Sequence, residues 1–389
     1  MSLKFHYHKD LPKPTPLKAE YLRNQVQVLK KIFQPEQKSK EWYEMRENLL
    51  TASDWGTILG DNHYAKPESV LLKKCGEETF FPQRALDAMN WGNKYEDVAV
   101  SVYEYRNNLK VLEFGCLKHP NISFLGASPD GITEDGVMLE IKCPTSREIT
   151  GIPPAYYWCQ VQGQLEVCEL DRCDFLECNF KEYEDETMYL NDSYENDNKL
   201  NKFGNEKGII AEFYKKSEKK YIYKYAPVCV LGVNMEKWKI EIIEQTQNDD
   251  LRFYSFSYWY LEIISCVPIY RNQEWFNKAQ FELGIFWDYV LKYRALGIDK
   301  LKEELNDIKL AKKSEKEEKH PKKRSIKKES DNKNQKKIKD FICLDTPIDI
   351  KEFLTKTVDK NESSSDDSET EYTDNEMPLN TDCSFFTII

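Results

Sequence analysis

Ser128-Pro129-Asp130-Gly131 and, a short segment later, Leu139-Glu140-Ile141-Lys142-Cys143-Pro144 form the stretch on which the reading of this chain turns. Two Asp-Gly dipeptides, Asp130-Gly131 and Asp135-Gly136, flank the segment between, and Val137 to Ile141 is apolar and β-prone, so the region reads as a strand, a tight turn and a second strand. Side chains alternate along a strand. Glu140 and Lys142 therefore share one face while Leu139 and Ile141 point into a core, and the turn brings Asp130 back toward Glu140. Two carboxylates and the main-chain carbonyl of Ile141 make a hard oxygen site that suits Mg²⁺ or Mn²⁺ rather than zinc. Lys142 beside it is placed to orient or deprotonate an attacking water, or to stabilise charge on a phosphorane-like transition state. These are the residue types of a metal-dependent nuclease. Taken alone, the same stretch also reads as a surface hairpin with a solvated Glu140/Lys142 pair.

Three other segments bear on that choice. Trp91-Gly92-Asn93-Lys94-Tyr95-Glu96 opens a helical pattern in which Tyr95, Val98, Ala99, Val102 and Tyr105 recur at helical spacing. Glu96 sits at the border of that stripe, either as an ordinary helix-face carboxylate or as a third acid for a second metal or the nucleophilic water. Downstream of Pro153-Pro154, Tyr156-Tyr157-Trp158-Cys159-Gln160-Val161-Gln162-Gly163-Gln164-Leu165 reads as an amphipathic helix with glutamines dense enough that at least one reaches a buried polar site, Gln160 lying a turn after Tyr157. Near the N-terminus, Glu41-Trp42-Tyr43-Glu44-Met45-Arg46 precedes Leu50-Thr51-Ala52-Ser53-Asp54. Thr51 or Ser53 is a natural helix N-cap. The functional reading has Arg46 fork onto a phosphate, assisted by a hydroxyl and the donors of that helix N-terminus.

Together the four segments, in this order and spacing, resemble the YqaJ-type viral recombinases, the family of phage lambda exonuclease, within the PD-(D/E)XK nuclease superfamily; the likeness covers roughly residues 38–170. The resemblance implies an α/β (α+β), restriction-endonuclease-like core with a mixed central sheet flanked by helices. It implies a Mg²⁺-dependent exonuclease, with Mn²⁺ able to substitute, that digests one strand of linear double-stranded DNA from its 5′ end. Asp130, Glu140 and the carbonyl of Ile141 would bind metal, Lys142 would be the catalytic lysine, and Glu96 and Gln160 would complete the centre. Arg46, with Ser53 and Thr51, would bind the 5′ phosphate. A single-strand annealing protein as partner and a homotrimer follow from family analogy only. A large DNA virus or phage is the implied source, with action in the host cytoplasm or nucleus during recombination, repair or replication.

Composition bounds the rest. The chain of 389 residues has no run long enough to cross a membrane, and Lys4-Phe5-His6-Tyr7-His8-Lys9 is too polar for a signal peptide, so a soluble, non-secreted protein is expected. Eleven cysteines and five histidines show no zinc spacing; free thiols of a reducing compartment are expected, with Cys143 a packing residue. The net charge of −11 runs against DNA binding, but much of the acidity is segregated into a polar stretch and the C-terminal tail. A DNA site must then be a local basic patch helped by divalent cation.

The expected organisation is an N-terminal extension (1–37) with a helical pattern from Tyr21 to Phe33, a nuclease domain (38–297), and a charged, mostly disordered tail (298–389). Within the domain, a polar insertion at about 181–219 precedes strand-like runs at Tyr221 to Val233 and Trp238 to Ile243. The aromatic runs Tyr221-Ile222-Tyr223 and Phe253-Tyr254-Ser255-Phe256 read as sheet or helix core, or as platforms for unpaired bases. In the tail, Pro321-Lys322-Lys323-Arg324 opens a basic stretch that reads as a solvated linker or as a nuclear-targeting or nucleic-acid tether, Ser363 to Glu371 is acidic, and Phe385-Phe386-Thr387-Ile388-Ile389 reads as a docking motif. Two further readings stay open: a structure-specific endonuclease on the same metal centre, and a catalytically silent DNA-binding scaffold.

Overall fold

The computed structural model describes residues 6–7, 11, 13–194, 199–229 and 233–319. The chain enters through β1 (His6–Tyr7) and α1 (Pro16–Lys31), whose N-cap Thr15 accepts a hydrogen bond from Lys18 N–H. Leu22, Val26 and Leu29 recur at helical spacing on α1 and are buried in the main core, so the N-terminal extension is part of the folded body. There follow α2 (Lys40–Glu47), capped by Ser39, then β2 (Leu50–Thr51), α3 (Ala52–Ile58), α4 (Pro67–Lys74) and the long α5 (Gln83–Asn107). Five short strands come next: β3 (Val111–Leu112), β4 (Leu117–Lys118), β5 (Leu125–Ala127), β6 (Gly131–Thr133) and β7 (Met138–Lys142). The second half holds α6 (Ala155–Cys168), β8 (Arg172–Glu182), α7 (Glu186–Asn191), β9 (Lys207–Lys215), β10 (Lys220–Tyr225), α8 (Val233–Thr246), β11 (Leu251–Tyr270), α9 (Gln273–Leu296) and α10 (Ile298–Lys319).

The large mixed sheet runs β10-β9-β11-β8-β7-β6-β3, with β1 parallel to β11, and a small sheet runs β2-β5-β4. Helices cover both faces of the large sheet. On one, α5 packs Tyr95, Val98, Ala99 and Val102 against Leu139, Ile141 and Leu176; on the other, α1 and α6 pack against Met138, Cys173 and Phe175. Period-two alternation thus splits β7: Leu139 and Ile141 serve one core while Glu140 faces α6. Helix α6 approaches α3 closely because a Cβ on Gly163 would stand 2.8 Å from the Trp55 ring and 2.9 Å from Ala52 Cβ. A third layer packs α3, α4, α9 and α10 around Trp55, Leu71, Phe286 and Leu305.

Several expectations change. The segment expected as a polar insertion at about 181–219 contributes β9, flanked by β10 and β11, with Ile209, Ile210, Ala211 and Phe213 fully buried. Its charged residues lie mainly around α7 and the turns, which is why net composition hid the strand. Trp238 to Ile243 is helical, within α8: Lys, Glu, Gln and Met favour a helix, and Met235 with Trp238 (i, i+3) packs one face. Tyr103, not Tyr105, completes the buried stripe of α5. Leu301, Leu305 and Ile308 of α10 are buried against the third layer, so the folded body continues past residue 297. The calls on residues 320–389 lie outside the described residues. Every described cysteine is a free thiol, and Cys143 packs in the core under α5. No helix among the described residues is long and apolar enough to cross a membrane.

One buried ion pair ties α6 to the end of β11. Glu166 is 5% exposed, and its Oε2 accepts from Arg271 Nε at 2.7 Å. Burial pushes the Glu166 pKa up, but hydrogen bonding and the Arg271 charge outweigh this and bring it to about 2. A depressed carboxyl pKa gives stability that is present above the unfolded value near 4.3 and lost as pH falls through about 2. Glu166→Gln should therefore cost on the order of 2 kcal/mol at neutral pH and much less near pH 2 to 3. Thermal melts of both proteins across that range test it; a gap independent of pH would contradict the assignment.

Candidate active site

Register assembles the site. In the β6/β7 hairpin Gly131 pairs with Leu139, so Asp130, one residue before, lies across from Glu140. Asp130 Oδ2 accepts the Ile141 N–H at 2.7 Å, which fixes its carboxyl beside that backbone. In the small sheet Thr51 pairs with Gly126, which brings the start of α3 alongside the strand leading to Ser128 and Asp130. Helix α6, pressed onto α3, then delivers its glutamines to the α6 face of β7.

Glu140 is fully buried, and each of its oxygens is used. Oε1 accepts from Lys142 Nζ and from Gln160 Nε2 (2.6 Å); Oε2 accepts from Gln164 Nε2 (2.6 Å). Such a carboxylate is affordable inside a protein only because it is paired and fully hydrogen-bonded. Burial opposes the charge on Lys142, but Glu140 and Asp130 outweigh it and hold the ammonium protonated. Its Nζ also lies 4.7 Å from the centre of the Tyr157 ring, a cation–π contact. Asp130 is pushed well above the usual carboxylate range by burial and then by Glu140 and Glu96, against Lys142 and the Ile141 N–H. Glu96 on α5 is raised as well, by burial first, with Lys38 and Lys142 opposing and Asp97 and Glu140 adding to it.

Arg46 forms the second half of the site. Its guanidinium donates to Ser128 Oγ (3.3 Å) and Ser53 Oγ (3.2 Å) and stacks 4.2 Å from the Trp42 ring, whose Nε1 also donates to Ser128 Oγ (3.1 Å). Thr51 Oγ1 lies 3.2 Å from Ser53 Oγ. No carboxylate is within ion-pair distance of Arg46 among the described residues, so a cation is presented with only neutral partners, two hydroxyls and the Trp42 ring. A cavity of about 180 Å³ is lined by Arg46, Ser53 and Ser128 together with Glu96, Asp130, Glu140, Lys142 and Gln160. It adjoins a 440 Å³ cleft that shares Glu96, Asp130 and Lys142 and is also lined by Ile141 and Tyr157. Every site residue expected from the sequence thus lines one continuous hollow except Thr51, which is buried and touches it through Ser53.

Sequence reading did not single out Gln164, Gln37 or Ser128 as site residues. Gln164 is one of the three glutamines whose density pointed to a buried polar site, and two of them, Gln160 and Gln164, converge on Glu140. Gln162 instead donates to the Tyr270 carbonyl and accepts from Asn272 N–H. Gln37 comes from the segment expected as an extension and donates to the Phe114 and Pro129 carbonyls beside the motif.

The hollow fits a hard divalent cation by its chemistry: Asp130 and Glu96, both raised by burial and then by neighbouring carboxylates, and a buried Gln164 Oε1 with no hydrogen-bond partner. No ready cage of three or more His, Cys, Asp or Glu side chains stands among the described residues.

Residues 41–171 match the family described as the YqaJ-like viral recombinase domain. The matched segment contains Arg46, Ser53, Glu96, Asp130, Glu140, Lys142, Gln160 and Gln164. Beyond it, the chain is 36% identical over 326 residues to uncharacterized protein R354 of Acanthamoeba polyphaga mimivirus, covering 74% of this chain and 59% of that one. It is 27% identical over 162 residues to protein D345L of African swine fever virus, covering 34% of this chain and 46% of that one. The chain thus spans about half to three-fifths of these relatives' lengths. Among solved structures, the alkaline exonuclease LHK-Exo of Laribacter hongkongensis aligns over 69% of this chain and all of its own at 18% identity and a TM-score of 0.39. A phage-related exonuclease of Haemophilus somnus aligns over 62% of this chain and 93% of its own at 13% identity and 0.35.

Proposed function

We propose that this chain is a metal-dependent deoxyribonuclease that digests linear double-stranded DNA from a 5′-phosphorylated end, in viral recombination, repair or replication. The observation that carries the reading is that the Arg46–Ser53–Ser128 cluster, which we read as a phosphate cradle, and the Asp130–Glu140–Lys142 cluster line the same cavity. Asp130, Glu140 and the Ile141 carbonyl are the residues to hold Mg²⁺ or Mn²⁺, with Glu96 across the cleft. When bound, the cation supplies Lewis acidity that lowers the pKa of water and neutralises phosphate charge.

The protein's own groups do the rest. Lys142, which donates to Glu140 at the edge of the cavity, is placed to orient or deprotonate the attacking water or to stabilise charge that builds on the phosphate oxygens. Gln160 and Gln164 hold Glu140 in one orientation. Arg46, Ser53 and Ser128 anchor the terminal phosphate, which sets the next phosphodiester over the centre and gives a preference for ends. The 3′ overhang left behind is the substrate of a single-strand annealing partner, and a homotrimer around the duplex is the assembly proposed by family analogy.

Arg46→Ala tests the end recognition. Losing hydrogen bonds from a charged donor is expected to lower kcat/KM on 5′-phosphorylated duplex by about 10- to 100-fold, with little change on 5′-hydroxyl duplex. An equal effect on both substrates would remove Arg46 from phosphate recognition.

A further inference from the structure

The cradle is built on a turn between α2 and α3 that is itself held from below. Lys74, the last residue of α4, is 5% exposed, and its Nζ donates to the Arg46 carbonyl at 2.8 Å and the Leu49 carbonyl at 2.5 Å. It also pairs with Asp54 Oδ2 at 3.2 Å. That same oxygen accepts from Thr51 Oγ1 (2.9 Å) and Thr51 N–H (3.4 Å), and Thr51 Oγ1 reaches Ser53 Oγ. From α9, Arg294 grips the other side, donating to the Glu47 carbonyl (2.7 Å), Asn48 Oδ1 (3.1 Å) and the Lys74 carbonyl (2.8 Å).

We propose that Lys74 is the positioning residue of the phosphate cradle, locking the backbone at Arg46 and, through Asp54 and Thr51, the hydroxyl of Ser53 into one rigid set. The inference rests on the phosphate-binding reading of Arg46 and adds a residue that does not line the cavity. An ammonium has three donors, and all three are spent here on the two sides of one turn. A purely structural core position would be served as well by an apolar side chain, since buried ion pairs are commonly neutral in stability against hydrophobic replacements. A three-way tether to two carbonyls and a carboxylate has no apolar equivalent. Its consequence is preorganisation: the guanidinium and the hydroxyl meet the phosphate without first being ordered.

The test reads binding rather than cleavage, so it does not depend on catalysis. Full-length protein in EDTA is titrated by fluorescence anisotropy against blunt duplexes that differ only in a 5′ phosphate or a 5′ hydroxyl. Wild type is expected to favour the phosphate by about tenfold or more, the scale of a charge-assisted contact. Asp54→Asn with Lys74→Met removes both charges together, which avoids stranding one of them. Its phosphate preference should fall to within about twofold of that of Arg46→Ala, with hydroxyl-duplex affinity unchanged, and Lys74→Met added to Arg46→Ala should cause no further fall. Retained preference in the double variant, or equal weakening on both duplexes, overturns the role of Lys74. Parity of the two duplexes with wild type overturns the cradle reading itself, and Lys74 with it.

Discussion

Lys142→Ala is expected to abolish cleavage, with kcat reduced by at least about 10²- to 10³-fold, while the protein still folds. The ammonium is the cationic side chain placed against the two motif carboxylates, with Tyr157 beneath it, and no other side chain on β7 replaces it. Removing it leaves the buried Glu140 hydrogen-bonded to Gln160 and Gln164 but without its ion-pair partner, so the variant is expected to fold and to melt lower than wild type. Single-turnover cleavage of linear duplex, with circular dichroism melts alongside, measures both halves of the expectation. Full activity in the variant would remove Lys142 from the chemistry.

Chelation is expected to have an equally large effect, and Asp130 explains its pH dependence. Burial, Glu140 and Glu96 all favour the protonated form of Asp130, so proton and cation compete for it and Mg²⁺ affinity should rise with pH. For a carboxyl whose folded pKa lies above its unfolded value, the stability contribution is full at low pH and is lost as pH rises through the folded value. The cation-free protein should accordingly melt lower as pH is raised, and added Mg²⁺ should restore the loss. Asp130→Asn relieves the repulsion and keeps an oxygen for the Ile141 N–H. It should melt a few degrees higher without metal, about 2–4 °C per kcal/mol for a chain of this size, and show neither activity nor stabilisation by Mg²⁺. Calorimetric titration with Mg²⁺ at two pH values, run beside melts of both proteins, decides it. Equal Mg²⁺ stabilisation of wild type and Asp130→Asn would contradict the placement of the cation.

How much could be read beforehand follows from the range of each interaction. The Asp130/Glu140 apposition was legible because a hairpin is local: two Asp-Gly turns and one apolar strand determine who faces whom. The helix of Glu96 and the glutamine helix were legible from periodicity. Gln37 and Lys74 were not, since each acts through backbone carbonyls that carry no sequence signal, and Lys74 lies 28 residues from Arg46 in the chain. Strand β9 was hidden because charged turns flank it, and α8 was misread because Lys239-Ile240-Glu241-Ile242 mimics strand alternation until Met235 and Trp238 are seen to share a packed face. Leu301, Leu305 and Ile308 did carry their helical spacing, but only the third layer shows that they have a core to enter.

The most direct measurement is to incubate the protein and Mg²⁺ with linear duplex labelled at the 5′ or 3′ end, with and without a 5′ phosphate, beside closed circular duplex and the Lys142→Ala control. Metal-dependent loss of the strand from phosphorylated 5′ ends, absent on circles and in the control, is the predicted result. Cutting of circles, or no metal-dependent cleavage by the wild-type protein, would contradict the account.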